Sequence, residues 1–222
     1  MKKFLTLLFL CLILCACAGT KNKPSSIGIA DYYALKGSKE KGFIDLGVKG
    51  YRQTTNYTCA PAVAMSILRF YGKLKDSDMN QETEMRLAAE MGASSVSGTS
   101  LWQLAHWLNK NGFEIISGEG GSLDMIKENL KKGIPVIVEW ADFGTHWAIA
   151  QGYFDAGQSN KNLSDTIFFA DPAVHWYAKN NPDSISSFSA ERFNSMWFDA
   201  FMFNPQKVTR RIYIIATPKD KK

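Results

Sequence analysis

Cysteine is scarce where it would matter for folding. Of four cysteines, Cys11, Cys15 and Cys17 fall within the first 17 residues, which leaves Cys59 alone in the rest of the chain. A disulfide framework needs pairs and a thiolate metal cluster needs several ligands, so both are excluded. Histidine is equally sparse: His106, His146 and His175 are dispersed and complete no metal-ligand set. No cofactor is expected. Charge of one sign is also lacking, with 26 Lys and Arg against 21 Asp and Glu and a net charge of +5. The basic residues are scattered and form no stripe, so nucleic acid is not an expected partner. There is no internal repeat, and no low-complexity tract follows the N-terminal segment. Gly118–Gly121 (GEGG) precedes a helix without Lys-Ser/Thr, so it reads as a turn and not as a phosphate loop.

What is present begins with MKKFLTLLFLCLILCACAG: two lysines, an apolar run, then small residues. This is the layout of a secretory signal, too short for a stop-transfer helix. Leu14-Cys15-Ala16-Cys17 resembles a bacterial lipobox, with the small Ala16 before the cleavage point and Cys17 as the lipid acceptor. The expected organisation is a signal peptide over 1–16, a lipidated tether over 17–30, and a folded domain over 31–222. Loss of Lys2 and Lys3 leaves 24 basic side chains against 21 acidic ones, or +3. Ala18 is not the aspartate that favours inner-membrane retention, so the expectation is an exported lipoprotein on the outer membrane, facing the periplasm.

The first half of the domain reads as helices. CAPAVAMSILRFYG, QETEMRLAAEMG and TSLWQLAHWLNKNG carry apolar residues at helical spacing and each ends in glycine, with Thr99 or Ser100 as N-cap of the third. FEIIS reads as a strand and SLDMIKENLKKG as a further helix. Later come GIPVIVEW, HWAIAQGYF, DTIFFADP and RRIYIIATP, β-branched or aromatic runs bounded by turn residues, with a short helix in SAERFNSMWFDAF. Helices followed by strands predict an α+β domain, a helical layer against an antiparallel sheet. Residues 31–52 are ambiguous, with IDLGV a candidate short strand.

Cys59 sits where the first of these helices starts, with Pro61 in its first turn. The partial positive charge of a helix N-terminus favours a thiolate there, whereas a buried thiol would be an inert hydrophobe. A nucleophile needs a base. His106 lies within LWQLAHWL beside Trp102 and Trp107 and fits a packed or half-exposed helical residue. His175 follows a turn. His146 opens the strand HWAIAQGY and so stands at a sheet end. Asp171, at the end of the next strand, is positioned to orient it. Gln53, six residues before Cys59, could supply an N–H to an oxyanion alongside the Cys59 backbone N–H. Trp140, Trp147 and Tyr153 are candidates either for a groove near His146 or for core.

Gln-x₅-Cys at a helix start, a Gly-x-Pro-Val strand, a His-aromatic strand and an Asp-Pro strand end, in this order, resemble the papain-like cysteine peptidases. Within them the chain is similar to the bacteriocin-processing, or double-glycine leader, peptidases and their stand-alone relatives, over about residues 50–173. The resemblance implies the papain-like fold. It also implies Gln53 as oxyanion donor, Cys59 as nucleophile, His146 as base and Asp171 as orienting residue, with a peptide or protein as substrate. Ala60 stands where the family usually has glycine, and it is expected to crowd the backbone near the scissile carbonyl. The stretch Ala156–Asp165 lengthens a hairpin loop and is expected to overhang the site. An acyltransferase using the same triad, or an inactive binding module, are the alternatives.

Overall fold

The computed structural model describes residues 29–38, 40–141, 145–159, 165–174, 181–200 and 208–219. The signal segment, Cys17 and the tether up to residue 28 lie outside the described residues, as does His175. Among the described residues no helix is long and apolar enough to cross a membrane.

In chain order the elements are α1 (Ile29–Ser38), β1 (Phe43–Asp45), α2 (Cys59–Phe70), α3 (Gln81–Met91), α4 (Leu101–Lys110), β2 (Phe113–Gly118), α5 (Leu123–Lys131), β3 (Val136–Ala141) and β4 (Thr145–Phe154). There follow α6 (Ala156–Ser159), β5 (Thr166–Ala170), β6 (Ile185–Ser189), α7 (Ala190–Met196), β7 (Phe198–Ala200), β8 (Val208–Arg210) and β9 (Ile212–Pro218). The first helix starts at Ile29, just inside the stretch expected to be tether.

The capping chemistry explains where most helices start. The Asn80 side chain accepts from Thr83 N–H at α3, Ser122 from Met125 N–H at α5 and Ser189 from Arg192 N–H at α7, while Ser100 and Gln103 form a capping box at α4. Gly92, at φ 71°, closes α3 in the left-handed conformation that costs glycine nothing. At the N-terminus of α2, by contrast, no side chain caps the helix.

The main sheet has seven strands, in the order β2-β9-β3-β4-β5-β6 with β1 also paired to β4, and every pairing is antiparallel. β7 and β8 form a separate ribbon. Gly152 lets β1 in close, because a Cβ there would stand 2.9 Å from the Ile44 carbonyl oxygen. Alternate residues face two cores. Ile137, Trp147, Ile149, Ile212 and Ile214 pack with α2, α3 and α4. Val136, Val138, Trp140, Ala148 and Ala150 pack with α5 and α7 on the other side. The expected helical layer is thus α2–α4, and a second layer covers the opposite face. β3, β4 and β5 are buried on both faces and so lack the polar alternation of a half-exposed strand, their few polar residues, such as Glu139, His146 and Gln151, being buried as well. Cys59 opens the helix laid across one face, and His146 begins the central strand beneath it.

Candidate active site

Three elements bring the candidate residues together. Antiparallel pairing returns β5 alongside β4, so that Asp171, just past the end of β5, arrives beside His146 at the start of β4. His146 Nε2 and Asp171 Oδ1 are 2.8 Å apart. Asp171 Oδ1 also accepts from Ala173 N–H at 2.9 Å, and the Asp171 N–H donates to Ser184 O at 2.7 Å, which fixes the carboxylate. With Nε2 engaged, Nδ1 is the ring nitrogen left to face Cys59, which contributes to raising the His146 pKa. Gln53 is tied in from the other side: its N–H donates to Pro172 O at 3.1 Å, and its Nε2 donates to Thr55 O at 2.6 Å. One of the two Nε2 hydrogens thus remains for another acceptor. Gln53, Cys59, His146 and Asp171 are each only 6–8 % exposed.

The electrostatics of this cluster favour charge separation. Burial opposes a charged imidazole, but Asp171, through its charge and its hydrogen bond, and then Cys59, outweigh it and carry the His146 pKa up to about 10. Burial likewise pushes Asp171 up, and the His146 charge, its hydrogen bond and the Ala173 N–H outweigh that, holding the carboxyl below its usual range. At neutral pH the proton therefore sits on His146, between two groups able to carry negative charge.

The remaining candidates fall elsewhere. His106 stacks on Trp102 on the exposed side of α4, with ring centroids 4.7 Å apart. Trp140 meets the His146 ring edge-on at 5.1 Å, and Trp147 anchors the strand by donating from Nε1 to Thr99 O at 2.9 Å. Both are buried core residues, as is Tyr153, whose hydroxyl donates to Asp165 at the far end of β4.

Ala60, expected to crowd the backbone near the scissile carbonyl, is fully buried and packs in the core cluster that also holds Cys59. The inserted stretch does not start or end near His146. It leaves β4 after Phe154 and rejoins at β5, roughly 26 Å along the strand from His146 at about 3.3 Å per residue. Its two ends are joined there by Ala156 N–H donating to Asp165 Oδ1 at 3.0 Å.

Two buried carboxyl groups near the site were not legible in the sequence. Glu139, on β3, is 3 % exposed. Burial first, then the charges of Asp199 and Cys59, push its pKa well above the ordinary carboxyl value against the pull of His146. Its only sequence signal is an acidic residue inside the apolar run VIVEW. Glu84, on α3, is 0 % exposed and bonds the loop before Cys59. Among the described residues no group of three or more His, Cys, Asp or Glu is placed to hold a metal ion.

The sequence profile of the Peptidase_C39 like family matches residues 45–200, which span β1 to β7 and contain all four candidate residues. The chain belongs to the Peptidase_C39 like family. Membership assigns it to the cysteine peptidases, thiol hydrolases related to the bacteriocin-processing enzymes. Solved C39 structures share the fold. The peptidase domain of ComA, a bi-functional ABC transporter of Streptococcus in a quorum-sensing pathway, is 19 % identical with a TM-score of 0.55, over 78 % of this chain and 99 % of that one. A C39-like peptidase from Bacillus anthracis is 14 % identical with a TM-score of 0.54, over 81 % and 99 %. A double-glycine motif protease from an AMS/PCAT transporter, solved in complex with its leader peptide, is 17 % identical with a TM-score of 0.50, over 79 % and 94 %. No curated protein matches the chain in sequence.

Proposed function

We propose that this C39-like chain is a membrane-anchored cysteine peptidase that cleaves a peptide or amide bond through Cys59, His146 and Asp171. The observation that carries the reading is the buried His146–Asp171 pair at 2.8 Å, with Cys59 as the second partner of the ring. His146 takes the Cys59 proton. The sulfur attacks the substrate carbonyl carbon, the C–S bond forms, and the carbonyl π pair moves to oxygen. Gln53 Nε2 and the Cys59 N–H hold that oxyanion. As the oxyanion collapses, the C–N bond breaks and His146 gives its proton to the departing amine. Water, deprotonated by His146, then releases the acid from the thioester and restores the thiol. Asp171 keeps the ring oriented throughout and stabilises the imidazolium whenever His146 holds the proton.

A peptide substrate is supported by the C39 relative solved with its leader peptide bound. The double-glycine leader itself is not carried over. Ala60 and the insert after Phe154 are the sequence features that would favour an inactive relative. Export and anchoring through lipid on Cys17, on the outer membrane and facing the periplasm, rest on the lipobox-like Leu14–Cys17 and on Ala18. Palmitate labelling lost in Cys17→Ser would support the anchor, and labelling retained would contradict it.

The activity is tested with a mixture-based peptide library and intact-mass detection of the acyl-enzyme. The reading expects cleavage and a thioester adduct that hydroxylamine removes. Turnover by Cys59→Ala equal to that of the wild type would overturn it.

A further inference from the structure

Glu84 is a carboxylate in an unusual position: fully buried, on a helix outside the triad, with all four of its hydrogen bonds going to one short stretch of chain. Oε1 accepts from Thr54 N–H at 2.9 Å and from the Thr58 hydroxyl. Oε2 accepts from the Thr54 hydroxyl at 2.7 Å and from the Tyr51 hydroxyl at 3.3 Å. An ionised carboxylate offers about four acceptor sites, and here residues 51–58 occupy them all. That stretch contains Gln53 and ends at Cys59.

Two consequences follow from which hydroxyls are taken. Thr58 is the N-cap residue of α2, and such a threonine ordinarily turns its oxygen back onto its own helix, where the bond is worth about 1 kcal/mol. Here the Thr58 hydroxyl donates to Glu84 and no side chain caps α2, unlike α3, α4, α5 and α7. The amide end of α2 is thus left open at Cys59. Thr58 also shares a hydrogen bond with the Thr55 hydroxyl at 2.8 Å, and the Thr55 carbonyl holds Gln53 Nε2 at 2.6 Å. An unbroken chain of contacts therefore runs from Glu84 through Thr58 and Thr55 to the Gln53 amide. On the far side the loop is held by Tyr51 N–H donating to Ser66 Oγ at 2.8 Å and by the Gln53 N–H on Pro172 O.

We propose that Glu84 is the positioning residue of the oxyanion site: its carboxylate clasps residues 51–58 so that the Gln53 side chain and the Cys59 N–H converge on one point. The proposal rests on the peptidase reading above. Glu84 touches no reacting atom and acts through Gln53 and the open end of α2. It therefore governs steps that pass through a tetrahedral oxyanion and leaves the reactivity of the sulfur alone.

Two probes separate these. Iodoacetamide alkylates Cys59 by displacement of iodide at a methylene carbon, with no oxyanion. 4-Nitrophenyl acetate acylates it through a tetrahedral intermediate that expels 4-nitrophenolate. In Glu84→Gln an amide N–H₂ replaces one acceptor oxygen and faces donors. Alkylation should stay within about twofold of wild type, while acylation falls on the order of 10²-fold, the scale of losing an oxyanion donor. The loss should match that of Gln53→Ala, and adding Glu84→Gln to Gln53→Ala should cost little more, because the two act through one contact chain. Should Glu84→Gln fail to fold by thermal unfolding, Thr58→Val breaks the same chain and must show the same selective loss. Equal losses in both probes, no loss in either, or fully additive losses with Gln53→Ala would overturn the proposal. A wild-type protein inert to both probes would instead defeat the peptidase reading, and this inference with it.

Discussion

Replacing Asp171 by asparagine keeps the shape of the side chain and removes its charge. In the wild type, burial opposes the imidazolium, and the carboxylate 2.8 Å from Nε2 is the main force sustaining it. With charge centres roughly 4 Å apart and an effective dielectric of about 20, that attraction is on the order of 4 kcal/mol. At about 1.4 kcal/mol per pH unit, its loss lowers the His146 midpoint by on the order of three pH units. The midpoint would fall from about 10 to near neutrality, and unopposed burial would draw it lower. With three histidines in the sequence, the imidazole Cε1–H resonances can be followed individually by NMR. His146 should remain imidazolium through pH 8 in the wild type and titrate near or below neutrality in Asp171→Asn. The chemistry should follow. At pH 6 an ordinary thiol with a pKa of about 8.5 is only about 0.3 % ionised, so iodoacetamide alkylation of the variant should slow on the order of 10²-fold. The same His146 midpoint in both proteins would refute this reasoning.

The other expectations are read in simpler assays. Gln53→Ala should lower peptide turnover about 10²–10³-fold while leaving iodoacetamide alkylation unchanged, and parallel losses would contradict an oxyanion role. Glu139 keeps its proton in the fold, so stability falls as pH rises above the ordinary carboxyl range. In guanidinium unfolding at pH 8, Glu139→Gln should therefore be more stable than the wild type, and a less stable variant would contradict the assignment. His146 has the same direction of linkage through a different charge type. Its contribution is complete below its unfolded value of about 6.5 and is lost as pH climbs through about 10, so the wild-type midpoint should decline across that window. Shortening the insert at residues 160–164 should leave alkylation of Cys59 within about twofold, since the loop departs from and rejoins the sheet far from His146.

The positions legible in the sequence were those whose local chemistry matches their role. Ser100, Ser122 and the glycines after α3 and α4 are start and stop signals that act within one turn. Cys59, His146 and Asp171 each stand at an element boundary that their neighbours announce, whereas Gln53 lies within a loop and was singled out by its spacing from Cys59. Glu84 was hidden by its own helix. QETEMRLAAEM looks like a solvated polar face, and only the packing of α3 against α2 turns Glu84 inward. β6, Ile185–Ser189, has three serines in five residues and lacks the β-branched signature, so its pairing with β5 is a tertiary choice. The second helical layer was not read from the sequence, although TIFFA in β5 and the apolar residues flanking Glu139 in β3 are more than a sheet covered on one face would need.

The central claim is that Cys59 and His146 form an activated pair. It is tested most directly by the pH dependence of Cys59 labelling with an electrophilic cysteine-peptidase probe. Intact mass would be read from pH 4 to 9 on wild type, His146→Ala and Asp171→Ala, using the chain from residue 24 onward. The account expects fast labelling that persists well below pH 8 in the wild type and collapses in His146→Ala. Labelling that appears only above pH 8, unchanged by either substitution, would mean an ordinary thiol and would contradict it.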